Sequence, residues 1–88
     1  MANKLILKAF NHFKKDLQKN DFNIRNIIND NQKISFNLFK NGLFLCRLTF
    51  LEDHFFIKYD EINTENMNDD LLILIKQIAN HNNFIIFE

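Results

Sequence analysis

Apolar side chains recur along residues 3–19 at Ile6, Phe10, Phe13 and Leu17, with Ala9 beside them, a spacing that places them on one face of a helix. Lys4, Lys8, Lys15 and Lys19, with Asn11 between them, fall in a narrow stripe on the opposite side. The pattern predicts an amphipathic first helix with a basic back. From residue 22 the period changes to two. A slip of one residue exchanges the two faces of a strand, so candidate hairpin registers can be tested by what they bury.

A three-residue loop of Lys40, Asn41 and Gly42, with Gly42 left-handed and Phe39 and Leu43 closing it, sets Leu38, Phe36 and Ile34 opposite Phe44, Cys46 and Leu48. All six share one side, while Lys33, Ser35, Asn37, Arg47 and Thr49 share the other. A two-residue Asn-Gly turn would set Leu48 beside Ser35 and Phe50 beside Lys33, so the longer loop is preferred. A two-residue turn at Glu52 and Asp53 pairs Phe50 with Phe55, Leu48 with Ile57 and Cys46 with Tyr59, again on the apolar side. Phe22, Ile24 and Ile28 alternate with polar neighbours and supply another strand ahead of a turn over 29–32. Helical spacing returns over 65–81, where Met67, Leu71, Leu74, Ile75 and Ile78 form the apolar side and Asn63 or Thr64 caps the start. Glu65, Asp69 and Asp70 stand near the positive end of that helix and His81 near its negative end. Residues 84–87 read as a short last strand. The predicted fold is α+β: an N-terminal helix, a three- to four-stranded antiparallel meander, a second helix and a short C-terminal strand, with both helices on one face of the sheet.

Eighty-eight residues without a linker, repeat or low-complexity block make one domain, 1–88, able to bury a little over ~60% of its unfolded surface around a single core. The longest apolar runs, 71–75 and 84–87, fall far short of a membrane span. The start of the chain interleaves Lys with apolar residues and does not read as a secretory signal, and the lone Cys46 has no internal disulfide partner. Cytoplasmic residence is the expectation. Asn (15), Ile (12), Phe (11) and Lys (9) dominate, with no Val and no Pro, which is the residue choice of a low-GC genome, a bacterium or its phages and plasmids.

Candidate chemistry is sparse. In the preferred register Cys46 points into the core, where a thiol behaves as a small hydrophobe. His54 follows an acidic turn beside Asp53, and His12 and His81 sit at helix edges, so no catalytic set forms and the chain is read as non-enzymatic. No CxxC, HxxxH or HExxH spacing is present, and one glycine cannot build a phosphate-cradling loop, so neither a metal nor another cofactor is expected.

Neutral net charge hides an uneven distribution: residues 1–20 carry five Lys and one Asp, and residues 52–70 carry seven acids and one Lys. Lys4, Lys8, Lys15 and Lys19 could follow a phosphate backbone, with Lys33, Lys40 and Arg47 extending the positive surface. The order helix, three strands, helix is similar to that of the double-stranded RNA-binding domain, whose second helix opens on a lysine cluster. The corresponding stretch here holds Glu65, Asn66, Met67, Asn68, Asp69 and Asp70, which repels phosphate, so membership is not assigned. Protein binding rests on apolar groups that the pattern leaves on polar sides, namely Ile73, Phe56, Leu43 and Leu45, which either a partner or residues 84–87 would cover. The sequence therefore reads as a non-enzymatic macromolecule-binding module, an inhibitor or regulator of a protein acting by occlusion. Self-association as a homodimer through the basic and acidic surfaces is open, and the low-GC setting fits a phage or mobile-element anti-defence role of the anti-CRISPR type. The alternative is a nucleic-acid binder using the Lys stripe.

Overall fold

A computed structural model describes residues 4–29, 33–51 and 56–87, with the backbone alone for Lys4, Leu5, Ile6 and Lys33. The chain runs α1 (Lys4–Lys19), β1 (Phe22–Asn29), β2 (Lys33–Lys40), β3 (Leu43–Leu51), β4 (Phe56–Ile62), α2 (Asp69–His81) and β5 (Ile85–Phe87). The five strands form one sheet in sequence order. Neighbours are antiparallel except β5, which runs parallel to β4 because α2 carries the chain back across the sheet between them. This is the α+β arrangement predicted, with the fourth meander strand present. None of the described helices is long and apolar enough to cross a membrane.

Both helices contribute to one core. Phe10, Phe13 and Leu17 of α1 and Ile75, Ile78 and Ala79 of α2 pack with Ile34, Phe36, Leu38, Cys46, Leu48, Phe50, Ile57 and Ile86, the inward residues of four strands. Asn82 Nδ2 donates to Asp16 Oδ2 at 2.8 Å and ties the end of α2 to α1. With a single glycine, the chain fills its left-handed backbone positions with residues whose short polar side chains tolerate positive φ: Asp21, Asn26, Asn41 and Asn83. Asn83 ends α2, where the Asn83 N–H bonds to the Asn80 carbonyl at 3.0 Å and the Phe84 N–H to the Ala79 carbonyl at 2.9 Å. This closure aims Phe84 into the core just before β5 begins.

The first hairpin corrects the preferred loop. Asn41 (φ 54) and Gly42 (φ 77) form the tight two-residue turn, with Lys40 opposite Leu43 and Phe39 opposite Phe44. The burial objection to that turn is removed by one extra residue on β3, Leu45, after which Leu38, Phe36 and Ile34 face Cys46, Leu48 and Phe50. The register is thus two residues from the one predicted. An even offset keeps the same faces inward from Cys46 onward, but Phe44, expected on the apolar side opposite Leu38, lies before the extra residue and pairs with Phe39 on the outer face.

The second hairpin is also offset by two: Phe50 faces Ile57 and Leu48 faces Tyr59. The expected turn residues Glu52 and Asp53, and Phe55, lie outside the described residues, between the paired Leu51 and Phe56. A further extra residue, Asp60, sits opposite the Arg47–Leu48 step. In β1 the left-handed Asn26 makes a third bulge, so Phe22 and Ile24 face inward while Ile28 pairs with Ser35 on the outer face. Ile28 therefore leaves the apolar side predicted for it. Helix α2 starts later than expected: Asn68 is its cap, accepting from the Leu71 N–H at 2.8 Å, whereas Asn63 accepts from Glu65 and Asn66 in a separate turn.

Leu45 is 2% exposed and packs in the core, which corrects its assignment to a protein-binding surface. The bulge turns it inward beside Cys46, opposite Leu38. Truncating Leu45 to Ala should cost about 2–5 kcal/mol of unfolding free energy, the range for emptied core leucine sites. The same change at Leu43, which is 54% exposed, should fall within about 0.5 kcal/mol in urea titrations.

Candidate functional site

Because both helices cover one side of the sheet, the other side has no element packed on it among the described residues. Alternation from the observed registers assigns Asn23, Arg25 and Ile28 of β1 to this outer face, with Ser35, Asn37 and Phe39 of β2. From β3 to β5 come Phe44, Arg47, Thr49, Leu51, Phe56, Lys58, Ile85 and Phe87.

The centre of the outer face is polar and held by specific bonds. Arg47 donates to Asn37 Oδ1 at 2.8 Å and to Ser35 Oγ at 2.7 Å. Thr49 donates to the Asp60 carboxylate, and Lys58 pairs with Asp60 at 3.3 Å. These contacts bury Ser35 and Thr49 without a covering layer. At the hairpin end, Phe39 and Phe44 meet edge to face with centroids 5.6 Å apart and the Arg25 guanidinium lies 4.8 Å from the Phe39 ring centre. At the opposite corner Phe56 packs on Phe87 at 5.0 Å, with Ile85 paired to Phe56 and Leu51 on its other side. Ile85 is 55% and Phe87 48% exposed. Strand β5 thus covers part of Phe56 and opens new apolar surface in doing so.

A second apolar surface lies on the helix side. Ile73, also 54% exposed, lines a groove of about 400 Å³ with Tyr59, Ile62, Asp69, Leu72 and Lys76. The four residues expected to form a protein-binding set are therefore in four places. Leu45 is in the core, Leu43 is at the hairpin tip, Phe56 is on the outer face and Ile73 is on α2. Leu43 starts β3 and Phe56 pairs with Leu51 at its other end, so the two stand about 25 Å apart by strand rise. Sequence reasoning passed over Ile85 and Phe87, although a period of two across 84–87 puts them on the side opposite Phe84 and Ile86.

On α1, Lys8, Lys15 and Lys19 are exposed, and among the described residues none has an acidic partner; the Lys4 side chain lies outside them. Lys40 is engaged locally, its ammonium 2.9 Å from the Asn20 carbonyl and 4.7 Å from the centre of the Phe22 ring. His12 and His81 line one shallow depression of about 300 Å³ with Lys8, and His54 lies outside the described residues. Among the described residues no three His, Cys, Asp or Glu side chains are grouped to hold a metal ion. Compared with known protein families, curated proteins and solved structures, the chain shows no match.

Cys46 is enclosed between strands, and burial pushes its thiol from an ordinary value of 9.0 up to about 12. The neutral form is retained in the fold, so the sulfur is not a nucleophile there. A thiol whose folded pKa is raised contributes fully below its ordinary value and loses that contribution as pH climbs toward the folded value. Wild-type stability should therefore fall relative to Cys46→Ala by about 1.4 kcal/mol per pH unit above ~9. Below that pH the difference between the two proteins should be flat, and iodoacetamide should label Cys46 only at the rate of unfolding.

Proposed function

We propose that the protein is a non-enzymatic binding module whose outer sheet face docks on another protein and occludes it, as an inhibitor or regulator does. The observation that carries this reading is the apolar corner of Leu51, Phe56, Ile85 and Phe87 on a sheet face without a covering layer. Aromatic rings and a fixed arginine on the same face, Phe56 and Phe87 at the corner and Arg47 at the centre, are residue types enriched at protein interfaces. The bonds that hold Arg47 to Asn37 and Ser35 prepare it for contact, since little side-chain freedom is left to lose on docking. The charges on this face are mixed, with Arg25, Arg47 and Lys58 near Asp60 and Glu61, which suits a protein surface better than a phosphate backbone. Arg25 already occupies a face of the Phe39 ring, so that ring is a poor platform for stacking a base.

A second reading has its own support in the exposed α1 lysines. Lys8, Lys15 and Lys19, with Lys4 in the same stripe, would follow nucleic acid phosphates through contacts that weaken steeply with salt.

Ile85→Asp with Phe87→Asp should cost about 1–2 kcal/mol of unfolding free energy, because Phe87 gives up its packing on Phe56, and leave the protein folded, while removing from a low-GC bacterial lysate capture the proteins that the wild type retains. Identical capture by both proteins, or none by the wild type, would refute the protein reading. For the second reading, gel shifts should strengthen at low salt and weaken on Lys8→Glu with Lys15→Glu; absence of binding at low salt removes it.

A further inference from the structure

We infer that two copies of this chain pair through α2, with the helices antiparallel across a two-fold axis between Leu72 and Ile73. The inference is separate from the outer-face reading, because α2 lies on the other side of the sheet. Asp69, Leu72, Ile73 and Lys76 follow the spacing i, i+3, i+4, i+7 and line one groove, so they form a single stripe along the helix. Read along the helix, the stripe is acid, apolar, apolar, base. Reversing its direction exchanges the acid for the base. An antiparallel second copy therefore places Asp69 opposite the partner's Lys76 and Lys76 opposite the partner's Asp69, with Leu72 and Ile73 meeting the partner's Ile73 and Leu72 between them.

That self-complementarity selects the occupant. A two-fold interface requires one patch to fit its own rotated copy, and opposite charges at the two ends of an apolar centre meet that condition. The apolar centre has material to bury: Ile73 is mostly exposed, and Ile62 of β4 is exposed at the groove floor. A parallel partner would set Asp69 against Asp69 and Lys76 against Lys76, so the charges also fix the direction of pairing. The sheet edge at β1 has no comparable stripe. Its exposed Ile27 and Ile28 follow the Asn26 bulge, a distortion that natural edges use to discourage pairing.

Sedimentation equilibrium over a range of protein concentrations tests the pairing on the full chain. The wild type should form a dimer whose melting temperature rises with protein concentration, and Ile73→Glu should convert it to a monomer that still unfolds cooperatively, at a temperature independent of concentration. Asp69→Lys alone and Lys76→Asp alone should each weaken the dimer about tenfold or more, because each places like charges together at both ends of the seam. The double variant D69K/K76D should regain wild-type dimerisation, since the reversed stripe is again complementary to its own copy. Loss of the acid at the helix start weakens α2 equally in D69K and in the double variant, so recovery would report the pairing and not helix stability. A wild type that stays monomeric, a dimer indifferent to Ile73→Glu, or a double variant no better than the single changes would overturn the assignment. Partner capture through Ile85 and Phe87 can succeed or fail independently of each of these results.

Discussion

Five phenylalanine rings determine how this chain closes. Phe50 at the centre of the sheet touches Phe10 at 5.5 Å, Phe13 at 5.5 Å, Phe36 at 5.9 Å and Phe84 at 4.7 Å, centroid to centroid. One ring thus joins α1, β2, β3 and the residue that leads from α2 into β5. Inclined ring pairs at these separations gain about 0.5–1.5 kcal/mol each beyond the burial of their area. A small chain with little surface to bury depends on that density. The contact with Phe84 also explains why a strand as short as the three residues of β5 forms. The turn at Asn83 delivers Phe84 to Phe50, and β5 is then held against β4 by an anchor next to it in sequence.

Concentrating the rings on one side leaves the opposite face of the sheet to manage without a covering layer. It does so in two ways. The middle of the face is tied by Arg47, Asn37, Ser35, Thr49 and Asp60, whose bonds run across strands and satisfy groups that their neighbours shield from water. The corners instead carry aromatic pairs, Phe39 with Phe44 and Phe56 with Phe87. A solvated sheet face gains little from such rings at its rim, which is why the apolar corner supports a docking role in a way that the polar centre alone would not.

The period of the sequence was enough to find every element and the inward face of each strand away from its bulges, because a sheet covered on one side needs the period-two pattern to be kept between them. It was not enough to fix register. Three bulges, at Asn26, Leu45 and Asp60, each add one residue to a ladder. Their cost depends on neighbours that are distant in sequence. The tight Asn-Gly turn looked wrong only because its pairing was extrapolated without the bulge at Leu45. Ile28, Phe44 and Leu45 were then assigned to the wrong sides for the same reason: Ile28 and Phe44 face outward, and Leu45 faces the core. The start of α2 was misplaced for a local reason: Asn63 and Asn68 are both competent caps, and Asn63 closes a preceding turn. The candidate surfaces were less legible than the fold, since they depend on which apolar residues remain uncovered after β5 has docked.

Placement of the two surfaces has a consequence for occlusion. The α2 stripe and the outer sheet face lie on opposite sides of the same sheet, so the proposed pairing through the helix would leave the outer face of each copy open. A pair of copies would then present two equivalent faces. Two linked weak contacts can exceed either one in overall strength when a target offers two sites within reach, without any new contact being made. For a chain of 88 residues, with one core and about one face to spare, doubling is a physically economical route to a firm grip. The short β5 makes this compatible with a single fold: three residues complete the sheet edge, bury Ile86 beneath the helices and set Ile85 and Phe87 outward, while leaving α2 clear on its other side.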